Sequence, residues 1–218
     1  MIIAVINEKG GSGKTTLAVN LACKLSDEGD KVLFIDSDPQ RSGEIFVSIR
    51  EHEGLPTAFT YKATTNALRQ TLKSYQTSFE FDSIVIDTGG RDSKEMREAL
   101  SIADIVLMPT YPSQYDLSVL NNMLNLYEES QNEDSKCFIV INRAYTNTQL
   151  KQKLEEFKEL LKPKENRHIK LLESILYDRE AFRVATANGL GITQSQNSKA
   201  KKEFNNFFKE ILKVYNEN

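Results

Sequence analysis

The chain has 218 residues, with 28 lysines and arginines against 31 aspartates and glutamates and a net charge of −3. That length suits one α/β domain that buries roughly 70% of its unfolded surface, so no disulfide frame or structural metal is required. The mild acidity excludes a bulk polycation, so any nucleic-acid contact must come from a local basic patch. No apolar run has the length needed to span a bilayer.

The apolar segments, taken in chain order, fall into two kinds. Short, nearly unbroken runs rich in Ile and Val occupy residues 2–6, 32–35, 84–86, 105–108 and 138–141, with a less regular run at 169–176. Runs of this kind read as strands buried on both faces. Between them lie longer segments with helical spacing. One carries Leu17, Leu21 and Leu25; others carry Ala67, Leu68 and Leu72, then Leu120, Leu124 and Tyr127, then Leu150, Leu154, Phe157 and Leu161. Strands alternating with helices imply βαβ units, and so an α/β fold with a mostly parallel twisted sheet and helices on both faces. Residues 128–136 and 162–167, the latter with the helix-ending Pro163, read as surface connections rather than domain boundaries. The whole of residues 1–218 is therefore read as a single domain. Cys23 and Cys137 lie far apart in apolar stretches and read as buried small hydrophobes in a reducing compartment. The first residues, MIIAVINEKGG, have neither a basic leader nor a long apolar core. A cytoplasmic chain is the expectation. His52 and His168 lie in charged surroundings and read as ordinary surface histidines.

The chemistry concentrates at the ends of the predicted strands. After the first comes Glu8-Lys9-Gly10-Gly11-Ser12-Gly13-Lys14-Thr15-Thr16, followed by an amphipathic helix. A loop wrapped around phosphate must turn several backbone N–H groups toward one anion, which needs glycine, and the helix N-terminus adds its own N–H groups and dipole. Lys14 is placed to reach the β- and γ-phosphates, the Thr15 hydroxyl to ligate Mg²⁺, and Thr16 to bond on the α-phosphate side. The second strand runs into Asp36-Ser37-Asp38-Pro39-Gln40, where open α/β sheets place their ligands. The strand ending Ile86-Asp87-Thr88-Gly89-Gly90 closes on an acid suited to hold Mg²⁺ through a water, and Gly90 permits close backbone approach to phosphate.

The usual phosphate-loop pattern has its first glycine where this chain has Glu8, and Lys9 stands beside it. K-G-G-x-G-K-T-T, with D-x-D-P-Q further on, resembles the deviant P-loop ATPases of the ParA/MinD family. That resemblance implies ATP and Mg²⁺ as cofactors and an ATP-dependent homodimer. It implies that Lys9 reaches across the dimer to the partner's nucleotide, that Asp38 orients the attacking water and that Asp36 supports the magnesium shell, roles the two acids could exchange. Lys9, Lys14 and Asp38 are thus the expected catalytic residues, and Thr15, Asp36 and Asp87 the expected metal residues. Asn142 and Arg143, at the end of a strand, resemble the family's adenine-binding position, and the segment from Pro109 to Ser113 resembles its loop near the dimer interface. Arg179-Glu180-Ala181-Phe182 and Gly189-Leu190-Gly191-Ile192 have the family's rhythm. Gly89, Gly90 and Arg91 depart from the D-T-P-P of many relatives and look more like the short plasmid ParA proteins. Arg91 is compatible with a place at the nucleotide, at the partner subunit or in solvent.

A short ParA type, with no helix-turn-helix ahead of the phosphate loop, implies non-specific DNA binding, a separate centromere-binding adaptor that stimulates hydrolysis, and association with the nucleoid. The candidate DNA patch is Arg183, Lys199, Lys201 and Lys202, extended by Lys209 and Lys213. Two other readings stay open. The stripe Phe204, Phe207, Phe208, Ile211, Leu212 and Tyr215 in the last helix suits a MinD-like membrane-surface ATPase as well as a helix packed on the sheet. The scaffold also suits a P-loop ligase or phosphotransferase acting on a small acid.

Overall fold

The structure, a computed structural model, describes residues 1–65, 67–76, 80–147 and 150–217. Strands β1 (Ile2–Val5), β2 (Val32–Asp36), β3 (Thr60–Ala63), β4 (Ser83–Asp87), β5 (Ile105–Thr110), β6 (Lys136–Ile141) and β7 (Ile169–Leu171) form one sheet in the order β3-β2-β4-β1-β5-β6-β7. All its pairings are parallel. Helices α1 (Lys14–Asp27), α2 (Ser42–His52), α3 (Leu68–Gln76), α4 (Lys94–Leu100), α5 (Gln114–Glu129), α6 (Lys151–Leu161), α7 (Glu180–Ala187) and α8 (Ser198–Asn216) cover both faces.

The strand alternation divides the core into two layers. Ile3, Phe34, Val85, Leu107 and Phe138 point to the side of α1, α2, α7 and α8. Ile2, Leu33, Ile35, Ile86, Met108 and Ile139 point to the side of α3, α4, α5 and α6. Successive residues of a strand face opposite ways, so a strand covered on both sides needs apolar residues at every position. Every residue of β1, β2, β4 and β5 is buried. Both cysteines are fully buried, and burial raises their thiol pKa values, that of Cys23 to about 12.

Some elements differ from the sequence expectation. Edge strand β3, Thr-Tyr-Lys-Ala, alternates between exposed and half-buried positions, so it lacks the apolar run that marks the other strands. The polar connection after α5 is pinned down: the Asn132 side chain donates to the carbonyls of Leu100 and Ala103, and the Tyr127 hydroxyl to that of Ser135. Pro163 lies in a 3-10 turn, Lys162–Lys164, that follows α6. In α8 the stripe Phe204, Phe207, Phe208 and Ile211 is buried against the sheet, with Leu212 and Tyr215 packed at its edge. Each such side chain contributes roughly 1.5–3 kcal/mol. The stripe is therefore core, and this face of α8 is not available to a membrane surface.

Candidate nucleotide site

The carboxyl ends of β1, β2 and β4 stand side by side, with Asp87 in register with both Val5 and Asp36. The phosphate loop leaves β1 at Asn7, whose side-chain amide donates to the Pro109 carbonyl at 2.7 Å and whose oxygen accepts from the Lys9 N–H at 2.7 Å. Gly11 and Gly13 take left-handed φ values of 76° and 89°. A Cβ at Gly13 would also stand 2.5 Å from Asn142 Nδ2, so glycine is needed there for both conformation and space. Asn142 Nδ2 donates to the Ser12 carbonyl at 2.8 Å, and Arg143 Nη1 to the Gly11 carbonyl at 2.6 Å. The two residues brace the loop from the end of β6, its carbonyls turned back to them. Lys14 Nζ lies 3.2 Å from the Lys9 carbonyl. Burial lowers the pKa of Lys14, against the opposing pull of Asp87 and Asp38.

The acids divide by environment. Asp38 is half-buried; its Oδ1 accepts from the Gln40 N–H at 2.9 Å and its carboxylate faces Gly89. Asp36 is buried: Oδ1 accepts from the Asp38 N–H, and Oδ2 accepts from the Gly43 N–H and the Tyr61 hydroxyl. Its carboxylate is thus occupied by the chain's own donors. Asp87 is fully buried, and neither carboxylate oxygen has a hydrogen bond of ordinary geometry. Burial pushes its pKa up to about 8; Asp36 and Asp38 add to the rise, while the Thr15 hydroxyl and Lys14 oppose it.

Two cavities meet at the loop. One, of about 770 Å³, is lined by residues 10, 11 and 13–16 of the loop together with Asp38, Gly89, Gly90 and Arg91. The other, of about 550 Å³, is lined by Gly11, Gly13, Thr16, Asn142 and Arg143, then by Leu176, Tyr177, Phe182 and Thr186, with Phe204 from α8. Gly11, Gly13 and Thr16 line both. The first has the loop N–H groups, a lysine and an acid; the second is apolar and aromatic with polar groups at its rim. That pairing suits a phosphate chain and a nucleoside on either side of one loop. Lys9 is not among the described residues lining either cavity.

The wall of the second cavity was not legible in the sequence, because it is built from segments that meet only in the folded chain. Arg183 belongs to this cavity, where it pairs with Glu180 and Asp178. Helix α8 is tied to the same wall: Glu203 takes two hydrogen bonds from the Arg179 guanidinium, and Glu210 accepts from the Glu173 and Ser174 N–H groups. Lys199, Lys201, Lys202 and Lys209 are exposed on α8 and make no ion pair among the described residues. Lys213 pairs with Glu217.

Fold and site together define a P-loop nucleotide-binding protein. Residues 3–192 match the family model of the CobQ/CobB/MinD/ParA nucleotide-binding domain, and the chain belongs to that family. It is similar to the septum site-determining protein MinD of Thermotoga maritima, with 25% identity over 96% of this chain and 87% of that protein. It is similar to the maintenance of carboxysome distribution protein A of Halothiobacillus neapolitanus, with 26% identity over 96% of this chain and 95% of that one. A ParA protein of Rhizobium radiobacter is 31% identical over 60% of this chain and 57% of its own length. Among solved structures, apo McdA of Cyanothece superposes with a TM-score of 0.76 at 19% identity, over 96% of this chain and 98% of that one. A plasmid partition protein of Borrelia burgdorferi bound to AMPPNP does so with 0.71 at 21%, over 98% of both. At these identities the structural likeness concerns the fold.

Proposed function

We propose that the chain is a ParA-type partition ATPase: an ATP-dependent sandwich dimer that binds DNA without sequence preference and is released when an adaptor stimulates hydrolysis. The triphosphate occupies the larger cavity, held by the loop N–H groups and Lys14. Asn142 and Arg143 frame the nucleoside in the second cavity. Asp38 orients the water that attacks the γ-phosphorus as the bond to the leaving ADP oxygen breaks. Lys9 acts on the partner's nucleotide, the role the family resemblance implies. A divalent cation fits the residues present. Asp87 is a buried acid whose oxygens have no hydrogen bond of ordinary geometry, with the Thr15 hydroxyl beside it, and such a group is relieved by a nearby positive charge. Thr15 would hold Mg²⁺ directly and Asp87 through a water, and the ion would neutralise phosphate charge. The Asp36 oxygens are engaged within the chain, so we assign it to ordering the Asp38 loop.

The observation that carries DNA over membrane is the division of α8: its apolar stripe is core, and its outward face bears Lys199, Lys201, Lys202 and Lys209. The test is binding to arbitrary-sequence duplex DNA and to anionic liposomes, with ATP, ADP or no nucleotide, across a salt titration. Salt-sensitive DNA binding that requires ATP is expected. Liposome binding without DNA binding would move the chain to the membrane-surface branch. Failure on both surfaces, with turnover that rises only on adding a small acid, would favour the ligase reading.

A further inference from the structure

We propose that Tyr61, on edge strand β3, is a positioning residue for hydrolysis: it holds the Asp36 carboxylate, which in turn fixes the backbone of Asp38. The inference rests on the reading of the chain as an ATPase. Residue 61 lies in register with Phe34 in the neighbouring strand, two residues before Asp36. Its ring stacks on Phe34 with centroids 6.2 Å apart, and Phe34 stacks in turn on Phe59 at 5.0 Å, and Phe59 on Phe46 of α2 at 6.0 Å. At the end of this aromatic column the Tyr61 hydroxyl donates to Asp36 Oδ2 at 3.3 Å.

Asp36 distributes that restraint. Its Oδ2 also accepts from the Gly43 N–H at 3.0 Å, and its Oδ1 from the Asp38 N–H at 3.0 Å. Asp38 in turn bonds Gln40 N–H through Oδ1 and Arg41 N–H through its carbonyl, closing the loop onto the start of α2. There is no slack in the arrangement. A Cβ at Gly43 would stand 2.8 Å from the Phe34 ring, 2.9 Å from Asp36 Oδ2 and 3.1 Å from the Tyr61 ring. Arg41 sits beside it with a left-handed φ of 49°, a conformation that the surrounding bonds must maintain. A buried carboxylate that accepts several N–H and O–H donors fixes each of them. Without the hydroxyl the carboxylate turns more freely, and the loop carrying Asp38 turns with it. The phosphate loop and Lys14 hold the nucleotide in this reading, and the Asp38 loop lines the same cavity only to place the attacking water, so the loss falls chiefly on turnover.

Tyr61→Phe keeps the ring and its stacking and removes only the donor. The expected result is a fall in kcat of about tenfold with nucleotide Kd unchanged, together with about tenfold faster hydrogen exchange at the Asp38 and Gly43 amides. Phe59→Leu, which loosens the same column without touching the hydroxyl, should lower the melting temperature but leave kcat and those two amides close to wild type. Unchanged exchange at both amides in Tyr61→Phe would overturn the clamp. Faster exchange with unchanged kcat would overturn the positioning role, as would an equal loss of kcat in Phe59→Leu. Absence of turnover in the wild-type chain, with DNA and Mg²⁺ present, would instead defeat the ATPase reading, and the exchange rates would still decide whether Tyr61 holds the loop.

Discussion

Asp87 shows how one side chain links the site to stability. Burial raises its pKa to about 8, whereas in the unfolded chain an aspartate titrates near about 4. Between those values the folded chain keeps a proton that the unfolded chain has lost. Stability therefore falls as pH rises from about 4 to about 8, and above that the full penalty is present. Asp36, raised chiefly by its own burial, acts in the same direction. Asp87→Asn should flatten this slope, so that its melting temperature exceeds that of the nucleotide-free wild type at pH 8 by several degrees and much less at pH 5. Magnesium nucleotide binding at pH 7 should expel about one proton from the wild type, seen as a calorimetric heat that depends on the buffer's ionisation enthalpy; the variant should expel none. Gly13→Ala should weaken nucleotide binding by at least about a hundredfold, since it meets Asn142 and a left-handed φ at once. At this scale placement was legible where motifs dictate a residue type: Lys14, Thr15 and Asp38 line one cavity, with Asp87 buried beside them. It was silent on Tyr61 and on the bracing of the loop by Asn142 and Arg143, because those roles arise from segments that meet only in the folded chain.

Helix α8 has one face in the core and one exposed to solvent, and substitutions on the two should separate their roles. Changing Lys199, Lys201 and Lys202 together to Ala should leave the melting temperature near wild type, weaken DNA binding and reduce the steepness of its salt dependence by roughly 2–3 in log–log slope. Ending the chain at Asn197 removes Phe204, Phe207, Phe208 and Ile211 from the core and should yield insoluble protein; a soluble, nucleotide-binding product would show the stripe to be dispensable. The central strands were legible because burial on both faces demands unbroken apolar runs. β3 was not, since an edge strand needs no such run. Helices α2, α4 and α7 were also missed. α4 and α7 are only 7 and 8 residues long, and α2 exposes Ile45 on its outer face, which blurs the apolar period.

For the whole molecule, nucleotide is expected to complete an interface rather than merely fill a site. Lys9→Ala should spare nucleotide binding by the single chain while suppressing the ATP-dependent dimer or its turnover, read by light scattering on a sizing column with ATP and with ADP. A variant that dimerises and hydrolyses like the wild type would refute the trans lysine. The parallel sheet, its helical layers and its ligand edge were readable from alternation alone, whereas the order of the strands was not, since periodicity carries no information about which runs lie side by side.

That order has a consequence for biosynthesis. β1 lies at the middle of the sheet, with Ile2 opposite Ile84 on one side and Ile3 opposite Ile105 on the other. The strand that launches the phosphate loop is thus translated before both strands it pairs with, and is paired late. At about 5–20 residues per second the ribosome takes roughly 5–20 s to supply both neighbours, and until β4 emerges an Ile- and Val-rich segment has no strand to lie against. Slowing translation between β1 and β5 should therefore lengthen the nascent chain's dependence on chaperones.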